Sequence, residues 1–520
     1  MVATISSSGM RYPASVHWRE GSISKMPRSA LETRKVNSCV LHEAGEVMSD
    51  CRTVSWSRLL SVVKNGMIFG VDETVETESG VGGVCGGGRG KGCQKLFNFC
   101  SSNSGTLSRM KKRRLLFVSA GLFLLAILIY QLPAVNSRLS WRIEVARTYI
   151  KNVLNPVGDV PTAIPNTPIP TSQVTATLPP TSTPETVETP IPPTPTFPPL
   201  PAQTMLPSPP YEKQTANNCG PAALSMMLHM FGWTGSQKDI SDVIKPVNGD
   251  RNVNPEEMAF WVRNYAGWLA IEYRVGGDIE TLKRLIAANY PVIIEGTTSL
   301  NPDDTGWPDD DLWAAHYLLL TGYDDATQTF TVQDTYRGPD KTIPYGQFET
   351  EWKPFNYLYM VAYLPQQEQT IRNILGSNWD ATLNRQNALD SAQAATVNDP
   401  TDAFAWFNLG SNLVYFERYA EANEAYDKAR ELGLPQRMFR YQFGPFLANF
   451  HANRIDDLLA LTEYALRRTE MSEETWLWHG WALYRQGDTK GAVENWRKAL
   501  SIRPGYEDAI YALNFVGVQP

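Results

Sequence analysis

The chain has 520 residues, too many for one ordinary domain, so two or three folded units are expected. A hydrophobic share of 42% suffices for buried cores, while a net charge of −7 and a pI near 5.6 argue against nucleic acid as the main partner. Five of the six cysteines (Cys39, Cys51, Cys85, Cys93, Cys100) precede residue 101, so Cys219 is the one thiol of the C-terminal three quarters and cannot serve an internal disulfide there.

Residues 1–109 have weak periodicity with scattered Ser and Gly and read as a poorly structured or wrongly assigned extension. The Gly-Lys at 90–91 suggests a phosphate loop, but Cys85 stands where its first Gly belongs and Gly92 where Ser or Thr belongs. The spacing of Cys85, Cys93 and Cys100 fits no zinc ribbon or finger. Met110-Lys-Lys-Arg-Arg114 is followed by the uncharged run Leu115–Leu132, the pattern of a bacterial export anchor, with Met110 the expected true start. Such a run just spans a bilayer and is longer than a cleavable signal core. Segment 110–132 is therefore expected to be a single transmembrane anchor, N-terminus cytoplasmic and everything beyond it extracytoplasmic.

A juxtamembrane segment (133–155) leads to a Pro/Thr-rich linker (156–205). Residues 156–210 hold 18 of the 36 prolines, a composition that cannot bury a core and favours extended polyproline-II. At about 3.1 Å per residue this stalk would reach roughly 150 Å.

From 206 the texture is that of an α+β domain. Asn218-Cys219-Gly-Pro opens an apolar run stopped by Gly232, which places Cys219 on the first turn of a helix. The positive end of the helix dipole favours the thiolate there. Helices are expected at 237–245, 254–266 and 278–289. Strands are expected at Trp268–Val275, Pro291–Gly296, His316–Tyr323, Thr329–Gln333 and Tyr357–Leu364. His316 begins one strand and Asp334 ends the next, one hairpin away. Adjacent strand ends can set Asp334 against one imidazole nitrogen while the other faces Cys219, giving nucleophile, base and orienting carboxylate. Gln214 can add a side-chain N–H to the Cys219 backbone N–H for an oxyanion. His229 and His451 read as structural or surface residues. The acidic, aromatic stretch Asn301–Trp313 reads as a lip over the cleft or as a solvated loop with Trp packed beneath, without the regular spacing of a Ca²⁺ site.

Gln214-Thr-Ala-Asn-Asn-Cys219-Gly-Pro-Ala-Ala-Leu, His316-Tyr-Leu-Leu-Leu-Thr-Gly-Tyr-Asp and Val332-Gln-Asp334-Thr-Tyr together resemble the peptidase C39-like group. Its members are papain-fold domains related to the peptidases that cut bacteriocin leaders after a double glycine. Over 206–366 the resemblance implies Cys219 as nucleophile, His316 as base, Asp334 as orienter and Gln214 as oxyanion donor, with no metal or cofactor. The transporter-linked members carry membrane spans and an ATPase that this chain lacks, so their cytoplasmic leader-cleaving role transfers poorly.

Residues 380–518 show a helical repeat. Trp406, Leu409, Gly410, Ala422, Tyr426 and Pro435 trace one unit, and Trp476, Gly480, Leu483, Ala492, Trp496 and Pro504 another. Gly444 and Leu447 mark a degenerate copy between them, the glycines running at intervals of 34 and 36. The pattern resembles tetratricopeptide repeats (TPR), an all-α scaffold that binds peptides or proteins, or here caps the preceding domain. The expectation is thus a membrane-anchored cysteine peptidase acting on peptide or protein substrates, with TPR repeats for a partner. A tethered papain-fold binding module and a cell-wall amidase or transpeptidase are the alternatives.

Overall fold

The computed structural model describes residues 117–122, 124–125, 127–154, 156, 158–164, 198–247, 249–301 and 311–520. The extension 1–109 with its five cysteines, the cationic flank at Met110, most of the proline-rich linker and the lip residue Trp307 lie outside them. So does part of the 115–132 run, whose described residues are helical with exposed apolar side chains such as Phe117, Leu122 and Leu124. Among the described residues, no helix is long and apolar enough to cross a membrane. The juxtamembrane segment forms helix α1 (Pro133–Leu154).

The sheet begins a little before the expected boundary at 206, with the short strand β1 (Gln203–Met205). Helices α2 (Cys219–His229), α3 (Gln237–Ile244) and α4 (Pro255–Tyr265) come next. Ser236 and Asn254 begin the last two with capping boxes, reciprocated by Asp239 and Glu257. They are followed by β2 (Ala270–Arg274), α5 (Ile279–Ala287), β3 (Val292–Ser299), β4 (Trp313–Asp324), β5 (Thr329–Asp334), β6 (Gly338–Pro344), α6 (Tyr345–Trp352), β7 (Tyr359–Tyr363) and α7 (Glu368–Leu375). The strands form one antiparallel sheet in the order β2-β7-β3-β4-β5-β6, with β1 on the far end of β4. The expected helices and strands are all present. Strand β6 was not anticipated: Gly338-Pro-Asp-Lys-Thr-Ile-Pro has an exposed edge and little β-propensity, and pairing with β5 alone makes it extended.

Period-two alternation divides the central strands between two cores. Ile293, Tyr317, Leu319 and Met360 join α2, α3 and α4 on one face. Ile294, Leu318, Leu320 and Val361 join α5, α6 and α7 on the other. Both faces being covered, β4 reads as a continuous apolar run. Each fully buried Leu contributes about 1.5–3 kcal/mol.

The C-terminal helices are α8 (Ala381–Asn398), α9 (Ala403–Tyr415), α10 (Tyr419–Leu432), α11 (Gly444–His451), α12 (Ile455–Arg468), α13 (Glu473–Arg485), α14 (Thr489–Ile502) and α15 (Glu507–Phe515). They stack as the hairpins α9/α10, α11/α12 and α13/α14. Gly410 and Gly480 are each the eighth residue of a 13-residue helix. A Cβ on Gly410 would come within 2.7 Å of the Tyr426 ring, and one on Gly480 within 2.5 Å of Trp496, so close helix approach explains both glycines. The middle unit differs. Counting back from Gly444, its first helix would start at 437, yet a 3₁₀ turn (Met438–Arg440) replaces the first half and α11 begins only at Gly444.

The repeats dock on the sheet domain. Asn356 Nδ2 donates to Asn412 Oδ1 (2.8 Å), Lys353 pairs with Asp402 (2.7 Å), and Trp313 stacks on Phe355 with ring centroids 5.9 Å apart, beside Tyr441. Trp313 is therefore packed at the domain boundary.

Candidate active site

Cys219 is the first residue of α2 and is half-buried. The chain reaches it through Asn217, in the left-handed region at φ 57°, a conformation Asn tolerates better than most residues. Two side chains fix this turn. Gln237 Oε1 accepts from Thr215 N (2.7 Å) and Asn218 Nδ2 (3.0 Å), and the buried Lys245 ammonium donates to the Asn217 carbonyl. Gly220 lets the helix start lie against β4, since a Cβ there would be 3.2 Å from the Tyr317 ring.

His316 and Asp334 lie on neighbouring strands. Asp334 is in register with Leu318, two residues along from His316, so the pair is diagonal across the β4/β5 ladder. His316 Nε2 is 2.8 Å from Asp334 Oδ1, and both residues are buried. The same oxygen accepts from Tyr336 N (2.8 Å) and Arg337 N (2.9 Å), donors of the turn that follows β5. Cys219 and His316 line the same cavity and interact electrostatically, and with Nε2 held by Asp334 the ring atom left for the sulfur is Nδ1. The structure thus brings Cys219, His316 and Asp334 into one chain of contacts.

The electrostatics are consistent with an ion pair. Burial pushes the Cys219 thiol up, but the His316 hydrogen bond and charge, the Tyr317 backbone N–H and the Lys245 charge outweigh it, leaving the thiol below its ordinary value. Burial pushes His316 down, but its hydrogen bonds to Asp334 and Cys219 raise it to about 9. Asp334, although desolvated, is held at about 2 by His316 and the two turn N–H groups.

Gln214 is also at the site. Its backbone N donates to Thr335 O (3.0 Å) and its Oε1 accepts from Thr335 Oγ1 (2.7 Å), so the amide nitrogen is the end left for the cavity it lines. The cavity measures about 510 Å³ and contains Cys219, His316, Gln214 and Glu295. It is also lined by Arg437, Arg440 and Tyr441 from the helical repeats. His229 and His451 are elsewhere: His229 Nε2 contacts Gly235 O (2.7 Å), and His451 stacks on Tyr419.

Residues 205–360 match the Peptidase_C39 like family. That match runs from β1 into β7, the span of the sheet domain. Solved structures similar to parts of the chain include a C39-like peptidase from Bacillus anthracis, 18% identical over 31% of this chain and 97% of its own, with a TM-score of 0.25. Xylellain, a cysteine protease from Xylella fastidiosa, is 15% identical over 32% of this chain and 87% of its own, with a TM-score of 0.25. The TPR protein YrrB is 18% identical over 28% of this chain and 89% of its own, with a TM-score of 0.17. No curated protein matches the chain.

Sequence reasoning did not reach Lys245, Gln237 or the arginines of the cavity wall. Nothing in Gln237–Lys245 distinguishes a buried anchor from a solvated helix face. The arginines had one signal, the failure of the repeat pattern around Gly444.

Proposed function

We propose that the C39-like domain is a cysteine peptidase cleaving peptide or protein amide bonds. The observation that carries this reading is the continuous contact from Cys219 through His316 to Asp334, with the thiol shifted down and the imidazole up. The Cys219 thiolate attacks the carbonyl carbon to give a tetrahedral oxyanion. The Gln214 side-chain amide and the Cys219 backbone N–H stabilise that oxyanion. As it collapses, the imidazolium gives its Nδ1 proton to the departing amine, leaving a thioester. Neutral His316 then takes a proton from water, whose oxygen attacks the thioester and releases the acid and the thiol. Asp334 holds the ring in place throughout and stabilises its charge.

The test is alkylation of Cys219 by iodoacetamide across pH, in the wild type and in His316→Ala. A thiol reactive well below the ordinary value of about 8.5, and about 100-fold slower at pH 6 without His316, is expected. Free-thiol behaviour in both proteins would leave the domain a binding module.

The same proposal holds the chain in the bacterial membrane by residues 115–132, with the folded units outside. Its support is the cationic run Lys111–Arg114 ahead of an uncharged stretch. Protease added to intact cells should then remove 206–520, and full protection would refute the topology.

A further inference from the structure

The helical repeats hold a segment of their own chain. Residues 158–164 follow α1, have no regular secondary structure and meet the C-terminal ends of α10 and α12. Arg430, in the last turn of α10, donates through Nε to Pro161 O (2.8 Å). Arg468, the last residue of α12, donates through Nη2 to Gly158 O (2.9 Å). Gln436, from the loop after α10, adds a longer contact from Nε2 to Asp159 Oδ1 (3.4 Å). Val160, Pro161 and Ala163 are half-buried in this position.

Both guanidinium groups are braced by the repeats themselves. Nη1 and Nη2 of Arg430 donate to the two oxygens of Asp457 (2.9 Å each), a carboxylate that also accepts from Arg454 Nη2 (2.7 Å). Arg468 lies over the Tyr464 ring, 5.7 Å from its centroid, and the Tyr464 hydroxyl donates to Gln436 O (2.9 Å). A fork fixed in this way presents a further N–H at a set position, so little side-chain freedom is lost when a carbonyl docks. Both arginines are buried, where hydrogen bonds from a charged donor are stronger than at the surface. Main-chain carbonyls as acceptors select an extended backbone, not a charge.

The segment is tied on both sides. Upstream, Arg147 and Lys151 of α1 pair with Glu470, just beyond α12, and Thr148 lines the Cys219 cavity. Such exposed ion pairs contribute little by themselves, so the weight falls on the two buried arginines. Downstream of the linker, Pro201 O accepts from the Tyr323 hydroxyl (2.9 Å) and Ala202 O from Asp325 N (2.9 Å), so the chain rejoins the sheet domain before β1.

We infer that residues 158–161 are bound in cis by this face of the repeats, and that 133–161 act as a strap holding the folded unit beside α1. The proline-rich stretch then joins two points of one unit instead of carrying that unit away from α1. The spacer from Pro133 to the unit is α1 itself, about 33 Å at 1.5 Å per residue, against roughly 150 Å for an extended stalk. A peptide partner that uses the same donors has to displace the strap. Neither the peptidase reading nor the membrane topology enters this inference.

Photocrosslinking in the full chain tests it, with benzoylphenylalanine incorporated at position 160 or 163 and the products mapped by mass spectrometry. Intrachain products joining either position to residues 427–437 or 461–470 are expected. Arg468→Met should lower their yield about fivefold, since it removes the donor to Gly158 O. Should that variant not fold, Pro161→Gly with the probe at 163 leaves the repeats intact and should lower the yield about threefold by loosening the free segment. Products joining two copies of the chain, products scattered over the surface, or an unchanged yield in the folded variants overturn the inference.

Discussion

At Cys219 the thiol, imidazole and carboxylate alternate in charge, whereas near α4 and α13 four carboxyl groups face two cations, Arg503 and Lys245. At the thiol, Asp334 faces His316 and His316 faces the sulfur, so each group holds its neighbour in the charged form. At the other cluster Asp250, Glu257, Glu473 and Glu474 are all buried, and Arg503 pairs with Glu257 and sits 3.6 Å from Glu473. Desolvation dominates there and raises Asp250 to about 7, Glu257 to about 8 and Glu473 to about 10. Burial alone therefore does not decide the protonation state; the pairing does. One cluster keeps its charges, and the other keeps protons at a domain boundary, where Asn254 Nδ2 also donates to Glu474 Oε1 (3.0 Å).

The largest effect is expected from Asp334→Asn. With the carboxylate gone, His316 should fall from about 9 toward its ordinary 6.5, so the alkaline limb of the alkylation profile should move down by about two pH units. A limb that stays near 9 would mean that Asp334 does not hold the imidazolium. Gln214→Ala should leave the alkylation profile in place yet slow turnover of any cleaved peptide roughly 100-fold, because the amide is needed only once the oxyanion forms. Equal losses in both assays would make Gln214 a scaffold residue. Lys245→Met should raise the thiol pKa and slow alkylation at pH 6 about tenfold, since it removes one charge and the anchor of the Asn217 carbonyl. An unshifted profile would confine Lys245 to packing.

The acid-rich cluster gives the smallest and most diagnostic shift. Its carboxyl groups have folded-state values raised above the unfolded range near 4. Their stabilising contribution is therefore complete below about pH 4 and is lost as pH rises through about 7 and 8. Thermal unfolding should occur at lower temperature at pH 9 than at pH 6, by about 2–4 °C for each kcal/mol lost. Glu257→Gln should flatten that slope, and an equally steep slope in the variant would remove Glu257 from the effect.

Much of the site was legible because its signals are local. Asn218-Cys219-Gly220-Pro221 announces a helix start, and the apolar run after His316 announces a strand buried on both faces. The residues Cys219, His316, Asp334 and Gln214 were all named from such patterns, and they converge. Strand β6 escaped because its conformation comes from its partner rather than its side chains. Lys245 escaped because its burial depends on packing between α3 and the Cys219 turn. Arg437 and Arg440 escaped because they come from another domain, across a contact that no sequence period encodes. The middle repeat was legible only as a weak copy, and its weakness coincides with the turn that faces the cleft.

The junction between the two folded units has a mechanical consequence. Residues 365–379 form no free tether: they run as a 3₁₀ turn, α7 and a second 3₁₀ turn, with Ile371 and Leu375 in the core of the sheet domain. Just beyond, Asn384 accepts from Val275 N (3.1 Å) and donates to Val275 O (2.8 Å), and Gly276, at φ 63°, packs against Ala388. Helix α8 is thereby fastened to the end of β2 as a strand neighbour would be. A pulling force applied between Gln203 and Pro520 would meet a single welded body rather than two beads on a string, and the rupture of one unit would expose the seam that holds the other.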